Sequence, residues 1–183
     1  MNLTIVTSNA HKAQEVGAFF GGSLKLSQVS LDIPELRSEN IEEIAYAKAQ
    51  SAFEELKRPL IVDDTGFFID AFNGFPGPYA AYVLRTVGVN GILKLMEGVT
   101  DRNASFVTSI GYADEREVRV FSGTIQGTIA TEKRGAAGFG YDPIFLMGNR
   151  TLAEMALEEK SRVSHRARAL SAFRDWFLVT HLK

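Results

Sequence analysis

Short apolar runs alternate with polar turns in the first half of the chain, and their spacing indicates both strands and helices. Apolar runs predict buried strands at residues 2–6, 24–31 and 59–62. Apolar residues at helical spacing predict a helix after residue 9, which Ser8 or Asn9 is positioned to cap. The same spacing predicts a longer helix over residues 40–57, with Asn40 as its cap.

The second half has a different pattern. Long runs at residues 104–112 and 117–130 predict two strands of a hairpin, and residues 163–182 predict a closing helix. Early alternation of helices and strands followed by a long hairpin favours an α/β fold with a mixed sheet and flanking helices. We find no repeat or linker, so the sequence predicts a single domain over residues 1–183.

Composition narrows the possible functions. The net charge of −2 gives no general attraction to nucleic acid or to an anionic membrane, and we expect neither as a partner. The absence of cysteine excludes disulfides, thiolate metal sites and a cysteine nucleophile. We see no basic leader with an apolar signal core and no apolar stretch of bilayer length, so we expect a cytoplasmic protein.

Four polar clusters follow apolar runs, and the first is typical of a phosphate site. Thr7-Ser8-Asn9-Ala10-His11-Lys12 stands between a predicted strand and a predicted helix. Free N–H groups and the positive end of the helix dipole attract anions there, and Lys12 adds a charge. The alternative interpretation is an ordinary capped helix with a surface lysine.

The second cluster, Asp63-Asp64-Thr65-Gly66, indicates a metal. Adjacent carboxylates at the end of a buried strand repel each other, and a divalent cation such as Mg²⁺ relieves that repulsion. Neighbouring side chains on extended backbone point in opposite directions, so we expect the two aspartates to differ in role. The alternative is a turn after a strand. Glu35 is the best further ligand in the acidic segment before the second helix, and Glu39 is its rival.

The other two clusters suit a nucleotide base. Phe139-Gly140-Tyr141-Asp142 offers aromatic faces for stacking and a carboxylate that accepts hydrogen bonds, or else a core aromatic after a turn. His165 and Arg166 follow Lys160 near a helix start, where cations are unfavourable unless an anionic or acceptor-rich ligand compensates them. Both side chains are able to donate to a 6-keto oxygen. The alternative is a solvated basic face.

Taken together, these segments closely resemble the inosine triphosphate pyrophosphatase family, also called Ham1-like or XTP/dITP pyrophosphatases. The resemblance covers nearly the whole chain in the family's motif order. The matching segments are Thr7 to Lys12, Asp63 to Gly66, Gly74 to Tyr79, Gly138 to Phe145, Ala153 to Met155, and Lys160 with Ser164 to Arg166.

The resemblance implies an elongated two-lobed fold with the site in the cleft, a homodimer, and Mg²⁺-dependent hydrolysis of ITP, dITP and XTP to monophosphate and pyrophosphate. It implies that Asp64 is the general base and a metal ligand, and that Glu35 is the second ligand. It also implies that the remaining matched residues bind the nucleotide: Thr7, Ser8, Asn9, Ala10, His11, Lys12, Thr65, Phe139, Gly140, Tyr141, Asp142, Lys160, His165 and Arg166.

Two other functions stay open from the sequence. One is a pyrophosphatase for modified pyrimidine triphosphates, and the other is a module that senses a nucleotide without turnover. The Asp63-Asp64 pair argues against the second, because carboxylates that face phosphate make sense mainly with a metal.

Overall fold

The computed structural model describes residues 2–34 and 36–181 of the chain. The strands are β1 (Asn2–Val6), β2 (Lys25–Val29), β3 (Leu60–Ile69), β4 (Pro76–Gly77), β5 (Asn103–Ala113), β6 (Val118–Ile129), β7 (Phe145–Met147) and β8 (Arg150–Thr151). The helices are α1 (Ala10–Phe20), α2 (Ile41–Leu56), α3 (Ala80–Thr86), α4 (Gly88–Leu95), α5 (Leu157–Val163) and α6 (His165–His181).

The strands form one mixed sheet in the order β2-β1-β3-β5-β6-β7-β8, with β4 added on β3. β1 pairs in parallel with β2 and β3, because helices α1 and α2 supply the crossovers that parallel neighbours need. From β3 onward the neighbours are antiparallel, and β5 and β6 form the expected hairpin. The predicted α/β class and mixed sheet are therefore confirmed.

Capping residues set the helix starts much as the sequence predicts. The side chain of Asn9 accepts hydrogen bonds from the backbone N–H groups of His11 and Lys12, and the side chain of Asn40 accepts one from Glu42. The predicted closing helix is interrupted at Ser164, which separates α5 from α6. Its predicted last residue, Leu182, lies outside the described residues. Within residues 2–34 and 36–181, no helix has both the length and the apolar character needed to cross a bilayer.

The buried apolar residues form three clusters arranged along β3. Ile61 packs with α1 and α6, whereas Leu60 and Val62 pack with α2, so the two clusters lie on opposite faces of the sheet. A third cluster surrounds Phe67 and Ile69 at the other end of the same strand.

A polar belt lies between the cluster around Phe67 and the other two clusters. It consists of Asp63, Asp64 and Thr65 on β3 and of Thr108 and Ser109 on β5. Asp64 pairs in register with Ser109, and Thr65 with Thr108. The expectation that the two aspartates end a strand is wrong, because β3 continues through them to Ile69 with unbroken pairing to β5.

Gly66 contributed to the alternative interpretation of this segment as a turn. In the structure, the glycine is explained by close side-chain packing. A Cβ at this position would lie 2.6 Å from the ring of Phe68 and 2.8 Å from the side chain of Ile41. A larger residue here would force these two side chains to move, so the close packing favours glycine, while the backbone stays extended.

Candidate active site

The turn between β1 and α1 forms one wall of a cleft of about 760 Å³. Thr7, Ser8, Asn9 and Lys12 line the cleft, whereas Ala10 and His11 are exposed and do not. Asn9 already occupies the N–H groups of His11 and Lys12, so these amides are not free in the way the sequence suggested. The local positive charge therefore comes from Lys12 and from the helix dipole.

Lys12 is not a solvated surface lysine. Its Nζ donates to the backbone carbonyl of Asp63 at 2.8 Å and lies 2.7 Å from Oδ1 of the same residue. These contacts tie the start of α1 to the polar belt and hold the ammonium group at the floor of the cleft.

The two neighbouring aspartates have different surroundings. Asp63 is buried, and Arg166 Nε lies 2.5 Å from its Oδ2. Burial alone would raise the pKa of Asp63, but Arg166 and Lys12 outweigh it and hold that pKa well below its ordinary value. Asp63 therefore has its charge balanced inside the protein.

Asp64 lines the cleft and has one carboxylate oxygen without a partner among the described residues. Its Oδ1 accepts a hydrogen bond of 2.9 Å from Nζ of Lys48 on α2. Its Oδ2 is buried and, among the side chains that the structure describes, has no hydrogen-bonding partner. An uncompensated carboxylate oxygen is unfavourable by itself and suits a hard cation such as Mg²⁺, so the residue fits the predicted metal.

The second predicted metal ligand, Glu35, lies outside the described residues. Its chain neighbours Pro34 and Leu36 line the cleft, whereas its rival Glu39 is exposed and does not. Residues 2–34 and 36–181 contain no group of three or more histidine or acidic side chains arranged for a metal ion. Among the described residues, Asp32, Asp63 and Asp64 line the cleft. Asp63 is paired with Arg166 and Lys12, and Asp32 is exposed, so Asp64, with its unpartnered oxygen, is the best described carboxylate for a shared protein–phosphate site.

Behind the cleft lies a buried network of alternating charges. Lys160 Nζ lies 2.5 Å from both Glu15 and Asp142, and Arg166 pairs with both Glu15 and Asp63. The interpretation of these cations as a solvated basic face is wrong, since both are almost inaccessible. The counter-charge that we expected from a ligand comes instead from three carboxylates of the protein. Although burial lowers the pKa of Arg166, its two carboxylate partners raise that pKa above its ordinary value.

A second cavity of about 140 Å³ adjoins the cleft and shares Asn9, Lys12 and Thr65 with it. The segment 139–142 forms one side of this cavity. The ring of Phe139 lies against His11, with centroids 5.1 Å apart and planes at 12°, and is half-buried. Phe139 is therefore an aromatic surface at the cavity wall, close to both buried cations.

The next residues of this segment also serve the protein's own packing. Tyr141 is buried, stacks on Phe67 at 4.5 Å, and donates its hydroxyl to the carbonyl of Ala80. Asp142 accepts from the N–H of Phe139 at 2.8 Å in addition to its ion pair with Lys160. Burial raises the pKa of Asp142, and the pair with Lys160 offsets this only in part. Gly140 lines the cavity with a positive φ of 67°.

His165 forms the back of the same cavity. Its Nδ1 lies 2.6 Å from Oγ1 of Thr108, and its ring stacks on Phe106 with centroids 4.6 Å apart. Burial lowers the pKa of His165 well below its ordinary value, and the neighbouring Arg166 and Lys160 lower it further. The ring is therefore neutral near pH 7, and its Nε2 is the nitrogen left for a ligand.

The sequence is similar to those of known proteins. The model of the Ham1 family matches residues 3–176 of the chain. The chain belongs to the Ham1 family. Its relatives include the "dITP/XTP pyrophosphatase" of Methanopyrus kandleri, which is 46% identical over 97% of this chain and 96% of the relative. The protein of the same name from Thermococcus kodakarensis is 44% identical over 96% of this chain and 97% of the relative.

Solved Ham1 structures have the same fold. The Staphylococcus aureus Ham1 protein superposes with a TM-score of 0.82 at 30% identity and covers 96% of this chain and 97% of its own. A HAM1 protein from Coxiella burnetii gives a TM-score of 0.83 at 27% identity and covers 98% of this chain and 100% of its own.

The Ham1-family site also contains residues that sequence reasoning missed, namely Glu15, Lys48 and Thr108. Glu15 stands beside Val16 on the buried face of α1, and Lys48 stands between Ala45 and Ala49 in the buried stripe of α2. A charged residue inside an apolar stripe was the available signal for both. Thr108 carried no signal, since a threonine in a strand is ordinary.

Proposed function

We propose that this protein hydrolyses the non-standard purine triphosphates ITP, dITP and XTP to the monophosphate and pyrophosphate, and so removes deaminated purines from the nucleotide pool. The observation that carries the proposal is the pair of adjoining cavities, one beside Asp64 and Lys12 and the other lined by Phe139 and His165. We assign the triphosphate to the first cavity and the base to the second. The names of the Ham1 relatives as dITP/XTP pyrophosphatases support dITP and XTP among these substrates.

Thr7 to Lys12 would hold the triphosphate through the Lys12 ammonium group, the side chains of Ser8 and Thr7, and the dipole of α1. Asp63 keeps Lys12 in place by its contacts of 2.7 and 2.8 Å. A positioned cation is most useful on the pyrophosphate leaving group, where negative charge builds up as the bond to the α-phosphorus breaks.

Mg²⁺ would be held by Asp64 Oδ2 together with Glu35, and when bound it neutralises charge on the phosphate oxygens. Asp64 would orient the attacking water and accept its proton as the oxygen bonds to the α-phosphorus. Lys48, 2.9 Å from the other oxygen of Asp64, fixes the direction of that carboxylate.

His165 and Arg166 would select the base by donating hydrogen bonds to a keto oxygen at purine C6. Arg166 already donates to Glu15, Asp63 and Thr65, so it is rigidly held and has little donor capacity left. His165 is therefore the main donor for the base. An amino group in place of the keto oxygen leaves that donor unpaired, and such mismatches reject an analogue by as much as about 10⁴-fold.

We further propose a homodimer that works in the cytoplasm. Phe75, Tyr79 and Tyr82 lie within one short segment and are all exposed. Aromatic side chains are enriched at the contacts between protein chains, which makes this segment the candidate contact with a second copy.

Product analysis tests the activity directly. Purified protein is incubated with ITP, XTP, dUTP, dTTP or ATP, with Mg²⁺ or with excess chelator, and pyrophosphate and orthophosphate are measured separately. We expect pyrophosphate from ITP and XTP only, and only with Mg²⁺. Preferred turnover of dUTP would favour a pyrimidine enzyme. Tight ITP binding without any product would indicate a sensor.

A further inference from the structure

Thr108 connects the aspartate strand to the histidine of the base cavity. Its Oγ1 lies 2.7 Å from Oγ1 of Thr65 and 2.6 Å from Nδ1 of His165. Thr108 is fully buried and His165 is 3% exposed, so water does not compete for these bonds. Each hydroxyl has a single proton to donate, and the order of donation decides which nitrogen of His165 carries hydrogen.

The distances around Thr65 indicate where its proton goes. The acceptors within reach are Thr108 at 2.7 Å and Asp63 Oδ1 at 3.2 Å. Hydroxyl donors normally lie about 2.5–3.0 Å from their acceptor, so the contact with Thr108 is in the usual range and the contact with Asp63 is the longer and weaker of the two. Asp63 Oδ1 also accepts already from Lys12 and from Arg166. Thr65 therefore donates to Thr108.

Thr108 in turn donates to His165. Because Thr65 uses its own proton on Thr108, Nδ1 of His165, 2.6 Å away, is the acceptor left for the Thr108 hydroxyl among the described contacts. His165 is neutral, because burial and the cations of Arg166 and Lys160 lower its pKa. A neutral imidazole whose Nδ1 accepts a hydrogen bond has its proton on Nε2.

We infer that Thr108 is a specificity-determining positioning residue, whose hydroxyl fixes His165 as an Nε2–H donor toward the base cavity. The keto oxygen of a deaminated purine meets this donor, whereas the amino group of adenine opposes one donor with another. With the proton on Nδ1 instead, Nε2 would accept and the preference would invert. The role in base choice rests on the proposed function, but the proton position is a property of the protein alone.

The first test is the proton position, measured without substrate. We would record ¹⁵N–¹H correlation spectra of the imidazole rings in labelled wild-type protein and assign His165 by comparison with His165→Gln. We expect a protonated Nε2 and an unprotonated Nδ1. The reverse pattern, Nδ1 protonated, overturns the inference whatever the enzyme hydrolyses.

The second test compares Thr108→Val, which removes the hydroxyl and keeps the shape, with Thr108→Ser, which keeps the hydroxyl. We expect the ratio of kcat/KM for ITP to that for ATP to fall at least about tenfold in the valine variant and to stay near wild type in the serine variant. Equal ratios in all three proteins overturn the inference. Unfolding curves check that both variants are folded, and the wild-type spectrum does not depend on them.

The two tests also separate this inference from the proposed function. Wild-type protein that prefers ITP but carries the proton on Nδ1 refutes the inference alone. Wild-type protein with the Nε2 proton but no preference for ITP over ATP refutes the proposed function and the role in base choice together.

Discussion

Oε1 of Glu15 accepts a hydrogen bond of 2.5 Å from Nζ of Lys160, which follows it by 145 positions in the chain. The other carboxylate oxygen of Glu15 accepts from Arg166. The buried carboxylate of Glu15 on α1 therefore connects the N-terminal part of the chain to α5 and α6. It holds the side chains of Lys160 and Arg166 beside the base cavity. This arrangement makes the cations part of the folded core rather than groups that wait for a ligand.

We expect Glu15→Gln to be strongly destabilising. The substitution keeps the shape but leaves Lys160 and Arg166 with one buried negative charge fewer. Removing one member of a buried ion pair commonly costs about 3–5 kcal/mol. Urea unfolding measures the free energy, and Glu158→Gln on the exposed side of α5 is the matched control. An unchanged midpoint for Glu15→Gln would show that the network contributes little to folding.

Substitution of Asp63 should mainly lower stability, whereas substitution of Asp64 should mainly lower activity. Asp64→Asn removes the carboxylate of the cleft and should lower ITP turnover by orders of magnitude. The free energy of unfolding should fall less than in Asp63→Asn, because among the described residues Asp64 has one ion pair and Asp63 has two. Asp63→Asn leaves Arg166 and Lys12 undercompensated and should destabilise by about 3 kcal/mol or more. Turnover and denaturant curves on both variants measure this contrast. Near-normal turnover by Asp64→Asn would remove this residue from the mechanism.

The metal dependence should distinguish Glu35 from Glu39. We expect Glu35→Gln to raise the Mg²⁺ concentration for half-maximal turnover at least about tenfold, because a metal ligand is lost. Glu39→Gln serves as the control and should leave that concentration unchanged, as Glu39 is exposed and away from the cleft lining. A higher Mg²⁺ requirement in Glu39→Gln, with none in Glu35→Gln, would make Glu39 the metal ligand instead of Glu35. Excess chelator should stop turnover without unfolding the protein.

His165 should make stability fall in mild acid. The pKa of folded His165 lies below its ordinary value of about 6.5, so below that pH the unfolded chain takes up a proton that the folded chain does not. The unfolding free energy should therefore decrease from about pH 6.5 downward, by up to about 1.4 kcal/mol per pH unit.

Denaturant curves between pH 7.5 and about pH 5 would compare wild type with His165→Gln, in which this dependence should disappear. The window stays above the ordinary pKa of aspartate, about 3.9, so the depressed pKa of Asp63 does not contribute. The same slope in both proteins would show that His165 is not held neutral.

Exposed aromatic residues should control assembly. Tyr82→Glu places a charge in the proposed contact between two copies and should shift the protein toward the monomer in sedimentation velocity. Val179→Glu, at a position of similar exposure on α6, is the control and should leave the sedimentation coefficient unchanged. A stable dimer in Tyr82→Glu would place the contact elsewhere.

Much of the fold could be predicted from the sequence because its elements follow local rules. The helix at 41–56 has both a cap and a complete apolar stripe, and it begins and ends within one residue of the prediction. The hairpin of β5 and β6 has long alternating strands on both sides of a polar turn. In each case, neighbours within a few positions determine the structure.

The errors arose where distant residues decide. Asp63-Asp64-Thr65-Gly66 has the composition of a turn, but its pairing with Thr108 and Ser109 keeps it extended. Similarly, Lys160 and Arg166 suggested a ligand because their partners Glu15 and Asp63 are more than a hundred positions away. Sequence reasoning named many of the residues that line the two cavities, but it could not show that the buried charges among them neutralise one another.

Because the polar belt lies in the middle of β3, the position of Asp64 depends on the apolar packing at both ends of this strand. Asp64 does not lie on a loop or a hinge, because β3 pairs with β5 without a break from Leu60 to Ile69. Loosening the apolar packing at either end of β3 disrupts this strand pairing from that end and moves the carboxylate. Heat or distant core mutations should therefore abolish turnover and cooperative structure at the same point, with no folded but inactive form between them.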